Sequence, residues 1–130
     1  MDLRDYYRQR AASITDEDMR KAALFLSEHV GRENAASKQE LTLAIYGKQT
    51  DSTERKAREV LKRLVTECGV AVGSNSGTSG YYIIETDQER SEVIAELKSR
   101  SRELNDRAFS LFNIQLPSPT DGRRMQGGLF

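Results

Sequence analysis

The fold turns on DSTERKAREVLKRLVTECGVAVGSNSGTSGYYII, residues 51–84, where the hydrophobic period changes once, at a glycine. Before Gly69, the residues Ala57, Val60, Leu61, Leu64 and Cys68 recur in steps of three and four, the spacing that lines up side chains on one face of a helix. Asp51-Ser52-Thr53-Glu54 offers an Asp-x-x-Glu capping box at the start of this helix, and Gly69 marks its end. Beyond Gly69 the helical period is gone. Val70-Ala71-Val72 and Tyr81-Tyr82-Ile83-Ile84 are β-branched and aromatic runs, predicted as strands, and Gly73 to Gly80 between them is turn chemistry. A helix therefore runs directly into a β-hairpin with a Ser/Gly-rich tip.

Upstream, Ser37-Lys38-Gln39-Glu40 has the Ser-x-x-Glu form in which hydroxyl and carboxylate satisfy orphan backbone donors reciprocally. It predicts a short helix that ends near Tyr46 at Gly47, with Leu41, Ala44 and Ile45 toward the core and Leu43 to the side. A longer helix is predicted from Asp16 to Val30. Thr15 is its expected cap, Asp16, Glu17 and Asp18 suit the positive end of its dipole, and Met19, Ala22, Ala23, Leu26 and Val30 form its apolar stripe. Residues 1–14, MDLRDYYRQRAASI, are short and polar and read as an arm or a frayed helix. Downstream of Asp87 the helical period resumes. Ile94, Leu97, Ser101, Leu104, Ala108 and Leu111 alternate in steps of three and four, a heptad-like seam on a long C-terminal helix that Pro117 and Pro119 end. The expected organisation is an arm over 1–14, a folded domain over 15–85, a helix over 86–114 and a disordered tail over 115–130.

The whole chain has 130 residues, 37% hydrophobic and 31% charged, which suits one compact domain and excludes a large multi-domain enzyme. Lys+Arg and Asp+Glu number 20 each, so any nucleic-acid or membrane partner must be met by a local patch instead of by global charge. Cys68 is the only cysteine and His29 the only histidine, so neither an internal disulfide nor a zinc-ligand spacing exists. With no apolar run of membrane-spanning length and no signal-peptide pattern, the expectation is a cytoplasmic protein without a membrane partner. Catalysis is not expected. His29 lacks a partner set and is read as a packed ring or a dipole partner, Cys68 as a core residue, and the glycines form no phosphate-cradling loop, so no metal or cofactor is expected.

Three short helices followed at once by a two-stranded hairpin follow the order of a winged helix-turn-helix, in which the third helix enters the DNA major groove and the hairpin lies beside it. The fold class expected is thus mainly α with a small β-hairpin, a winged helix-turn-helix followed by a long C-terminal helix. Ser52, Thr53, Arg55, Lys56, Arg58, Glu59 and Lys62 on the third helix are residue types that reach phosphates or base edges. Asn75, Ser76 and Thr78 at the hairpin tip can approach the backbone through hydroxyls and N–H groups, without the Arg or Lys that usually strengthens such a wing. The implied partner is double-stranded DNA. A protein-interaction module, an inhibitor or adaptor of a bacterial machine that uses the same scaffold without DNA, is the alternative, favoured by the neutral charge and the uncharged wing.

Arg58-Glu59-Val60-Leu61-Lys62-Arg63-Leu64, Gly69-Val70-Ala71-Val72-Gly73-Ser74, Gly80-Tyr81-Tyr82-Ile83 and Leu97-Lys98-Ser99-Arg100 together resemble small winged-helix proteins encoded by phages and prophages. The resemblance covers roughly residues 37–107 and implies a DNA-associated role in phage replication or gene control. Ala71 and Val72 depart from the more usual polar or Pro-bearing positions, and the wing tip is longer here. Two partner surfaces complete the expectations. Ile94, Leu97, Leu104 and Leu111 suit pairing of two copies into a homodimer, or folding back onto the first helix. Gln126-Gly127-Gly128-Leu129-Phe130 resembles the Q-x-x-L-F peptide with which bacterial replication proteins dock on the sliding clamp, with Gln126 setting orientation and Leu129 and Phe130 filling an apolar groove.

Overall fold

In a computed structural model the described residues are 2–75, 80–115 and 117, and the chain divides into two units, Met1–Ala95 and Glu96–Phe130. Five α-helices carry most of these residues: α1 (Leu3–Ala12), α2 (Glu17–Leu26), α3 (Lys38–Tyr46), α4 (Asp51–Cys68) and α5 (Asp87–Asn113). Three short strands, β1 (Ala36–Ser37), β2 (Val72–Asn75) and β3 (Gly80–Ile83), form one antiparallel sheet in the order β1-β3-β2. A mainly helical protein with a small β-hairpin is what the periodicity predicts; the third strand is new. β1 consists of two residues, Ala36 opposite Tyr81 and Ser37 opposite Gly80, too few for an alternating pattern to show in sequence.

The segment expected as an arm or a frayed helix is a ten-residue helix that contributes to the core. Asp2 caps α1 by accepting from the Asp5 N–H at 2.9 Å, and Tyr7 and Ala11 are buried among residues of α2 and α4. Tyr7 and Ala11 lie four residues apart, one helical turn, so a single narrow stripe suffices to dock an otherwise polar helix. On the flanking faces, Arg4 and Arg8 both reach Glu28, and the Arg10 guanidinium donates to the Cys68 carbonyl at the end of α4. A cation there complements the negative end of the α4 dipole.

α2 begins one residue later than expected, capped by Asp16, whose carboxylate accepts from the Met19 N–H at 3.0 Å, so Thr15 is not the cap. It also ends early, at Leu26. Residues 29–31 are claimed by the sheet: the Ile83 N–H donates to the His29 carbonyl and the Gly31 N–H to the Ile83 carbonyl, both at 2.8 Å, and Val30 bridges to Ile83. The Ser37–Glu40 capping box of α3 forms as predicted. On α3 Leu41 and Ile45 are buried, but Ala44 is exposed and Thr42 takes an inward place, its hydroxyl donating to the Lys38 carbonyl at 2.7 Å.

The cap of α4 is Thr50, not Asp51. Thr50 and Thr53 bond reciprocally, side chain to backbone N–H, at 3.1 and 2.8 Å, while Glu54, expected to close the box, is drawn aside by Gln49 and Lys38. Ala57, Val60, Leu61 and Leu64 are buried as predicted, and Cys68 is partly buried at the end of the stripe. Gly69 closes the helix at φ 67°, a conformation that a side chain would strain.

The hairpin strands are shifted from their expected bounds: Val70 and Ala71 precede β2, and β2 continues through Gly73 and Ser74 to Asn75. Ile83 and, in part, Val72 and Tyr81 pack on the helical core, whereas Tyr82, also fully buried, lies outside that apolar cluster, as the alternation of a strand requires. The Tyr82 ring lies across Gly73, where a Cβ would sit 2.8 Å from it, so the glycine expected to begin a turn instead makes room for an aromatic ring. No helix among the described residues is long and apolar enough to cross a membrane.

Candidate nucleic-acid interface

α3 and α4 are joined by a short turn through Gly47, held by the hydroxyl of the buried Thr53 together with that of Thr50. Thr53 Oγ1 donates toward the carbonyls of Lys48 and Thr50 at 3.2 and 3.1 Å and is 4% exposed. Of the expected contact residues on this helix, Thr53 alone is buried, and its hydroxyl fixes the entry of α4. The Thr50-x-x-Thr53 spacing is the signal that sequence reasoning passed over in favour of the neighbouring Asp-x-x-Glu.

The remaining helix candidates, Ser52, Arg55, Lys56, Arg58, Glu59 and Lys62, are all exposed. Arg55, Glu59 and Lys62 follow one another by helical turns on the side away from Ala57, Val60, Leu61 and Leu64, and Arg58 and Lys56 flank them. Salt bridges sort the charges of this helix. Lys38 of α3 takes Glu54 at 3.3 Å, and Arg63 takes Glu67 at 2.9 Å and Asp16 at 3.6 Å. The Gln49 amide, then Lys38 and Arg58, hold the Glu54 carboxyl below the ordinary range against its desolvation, and the Arg63 guanidinium does the same for Glu67. Both acids stay ionised but neutralised. Among the described residues Arg55, Lys56, Arg58 and Lys62 make no salt bridge, which leaves four cations against Asp51 and Glu59 on the exposed surface of α4. A neutral chain thereby presents a locally positive helix.

At the hairpin, β2 and β3 pair as far as Asn75 opposite Gly80. Ser76 and Thr78 lie outside the described residues, as does the Asn75 side chain. Gln126, Leu129 and Phe130 lie outside them too.

A separate polar cleft is lined by Gly31, Arg32, Glu33, Asn34, Glu85 and Glu89. Its chemistry is structural. Glu89 accepts from the N–H of Glu85 at 2.8 Å and of Arg32 at 3.1 Å, while the Glu89 N–H donates to Thr86 Oγ1, so one carboxylate joins the start of α5 to the loop after α2. Partial burial pushes the Glu89 carboxyl up, but the N–H groups of Glu85, Arg32 and Thr86 outweigh it and hold the group below the ordinary carboxylate range. A carboxylate whose folded-state pKa is depressed contributes stability above its unfolded pKa, about 4.3, and loses it as pH falls through the folded value. Glu89→Ala is accordingly expected to cost about 1 kcal/mol at pH 7, the worth of a helix cap. In urea melts across pH 7 to 3 the gap between wild type and variant should close below about pH 4; a gap independent of pH would refute the latch.

His29 and Cys68 take no part in any such site. The His29 Nδ1 lies 2.8 Å from the Asn34 carbonyl with its ring 4.7 Å from Phe25, and no group of three or more His, Cys, Asp or Glu that could hold a metal occurs among the described residues. Comparison with protein-family models, with curated proteins and with solved structures finds no match to this chain.

Proposed function

We propose that the chain is a DNA-binding protein of winged helix-turn-helix type, acting in replication or gene control, with α4 as its recognition helix and the β2–β3 hairpin as its wing. The observation that carries this reading is the cation set of α4, Arg55, Lys56, Arg58 and Lys62, which is exposed and makes no salt bridge among the described residues, on the second of two helices joined by a short turn. The element order supports it. A helix, a short strand, two helices and a hairpin, with the first strand paired to the last in a β1-β3-β2 sheet, is the arrangement in which a wing stands next to a recognition helix. Phosphates would be met by the cations, and base edges by the exposed Ser52 in the first turn of α4 and Glu59 midway along it.

The test is a fluorescence-anisotropy titration of the full chain on mixed-sequence duplex DNA at about 50 and 200 mM salt. About four phosphate contacts predict a log–log salt slope near −3.6, which weakens binding more than 100-fold between the two conditions. Binding that is absent at 50 mM, or present but insensitive to salt, would remove DNA as the partner and leave the scaffold to protein recognition.

A further inference from the structure

We propose that the C-terminal part of α5 pairs with the same segment of a second copy of this chain, in parallel, as a short two-stranded coiled coil. No residue of α5 is buried, and Leu97, Leu104 and Leu111 are 53%, 59% and 47% exposed. These three leucines repeat every seven residues, with Ser101 and Ala108 at the intervening positions, so they form one seam and not a scatter of surface side chains. Leucine at each of these positions, the d positions of the heptad, suits a two-stranded parallel pair, where each Leu meets its own counterpart.

The flanking residues choose the direction. Arg100 and Arg107 occupy the g positions, and Lys98, Asn105 and Phe112 the e positions; the acids Glu96, Glu103 and Asp106 lie further out. Glu96 holds Arg100 from that outer side at 2.6 Å. In a parallel pair each g residue faces the e residue five positions on in the other strand, so Arg100 meets Asn105 and Arg107 meets the face of Phe112, a favourable cation–π placement. An antiparallel pair sets g against g, bringing Arg100 onto Arg107 twice, and like charges at such distance repel. The seam is thus complementary to itself in one direction and needs no foreign charge. Phe112 is 85% exposed, and the pairing would cover it together with the three leucines. Two heptads make a weak pair, with an expected dissociation constant of about 10 to 100 µM.

The test is sedimentation velocity of the full, DNA-free chain from about 5 to 500 µM, so its failure and the failure of DNA binding are separate results. A monomer–dimer equilibrium is expected for the wild type. Leu97→Asp with Leu104→Asp should remain monomeric throughout and keep the wild-type thermal transition, because both side chains are exposed. For direction, Ser101→Cys in a Cys68→Ala background should form a disulfide-linked dimer on oxidation by copper–phenanthroline, while Ser99→Cys on the outer face should not. A wild type that is monomeric throughout, or a dimer that survives both aspartates, overturns the proposal. A dimer without the Ser101→Cys cross-link overturns its parallel direction.

Discussion

Replacing Arg55 and Lys62 together by glutamate is expected to weaken binding to duplex DNA about 100-fold at low salt and to flatten the salt slope by about two. Each side chain stands on the outward side of α4 with no salt bridge among the described residues, so its charge is available to phosphate. Losing one such contact costs on the order of 1.4 kcal/mol, a factor of ten, and two well-separated contacts add. Folding should be untouched, since both residues are exposed. Lys21→Glu is the control, because it reverses a charge on α2, where Lys21 is already paired with Glu17. An anisotropy titration in which the double variant matches wild type, or in which Lys21→Glu weakens binding as much, would show that α4 does not carry the contact.

The second large effect concerns stability. Tyr7→Ala should destabilise the folded chain by about 3 to 4 kcal/mol, the cost of emptying a large aromatic site in a core. Tyr7 is 7% exposed and sits in one cluster with Leu26, Leu61 and Leu64. Its neighbour Tyr6 is 43% exposed, meets it edge-on at 5.0 Å and accepts from Arg10 at 3.3 Å, so Tyr6→Ala should lose only these solvent-exposed contacts, under about 1.5 kcal/mol. Thermal melts resolve the two easily. The first loss lowers the midpoint by more than about 10 °C, the second by a few degrees. Similar small shifts for both would mean that α1 is the loose arm its composition suggests.

At the cap of α3 and along the apolar stripe of α4 the sequence was sufficient. Ser37 and Glu40 close the box that starts α3, and Ala57, Val60, Leu61 and Leu64 are buried on α4, because a cap and a stripe are satisfied within one helix and its nearest neighbours. The change from helical to strand chemistry at Gly69 was legible for the same reason, as was the cation set of α4, since residues at the opposite end of a helical turn from a buried stripe must face outward.

What the tertiary structure decided are the contacts between elements distant in the chain. Tyr7 and Ala11 give too narrow a stripe to reveal α1 as core; its packing against α2 makes it so. Val30 looked helical until β3 offered hydrogen bonds to residues 29–31, and two residues became β1 because a formed hairpin edge was there to pair with them. The candidate site changed in the same way. Thr53 carries the same hydroxyl as Ser52 one position before it, yet the turn from α3 folds over one and leaves the other in solvent. Glu54 and Glu67 share α4 with the exposed cations, but Lys38 and Arg63 neutralise them, and only the packing of α3 beside α4 brings Lys38 within reach. Local propensity is written residue by residue, whereas the partner of a side chain is set by which surfaces the fold brings together.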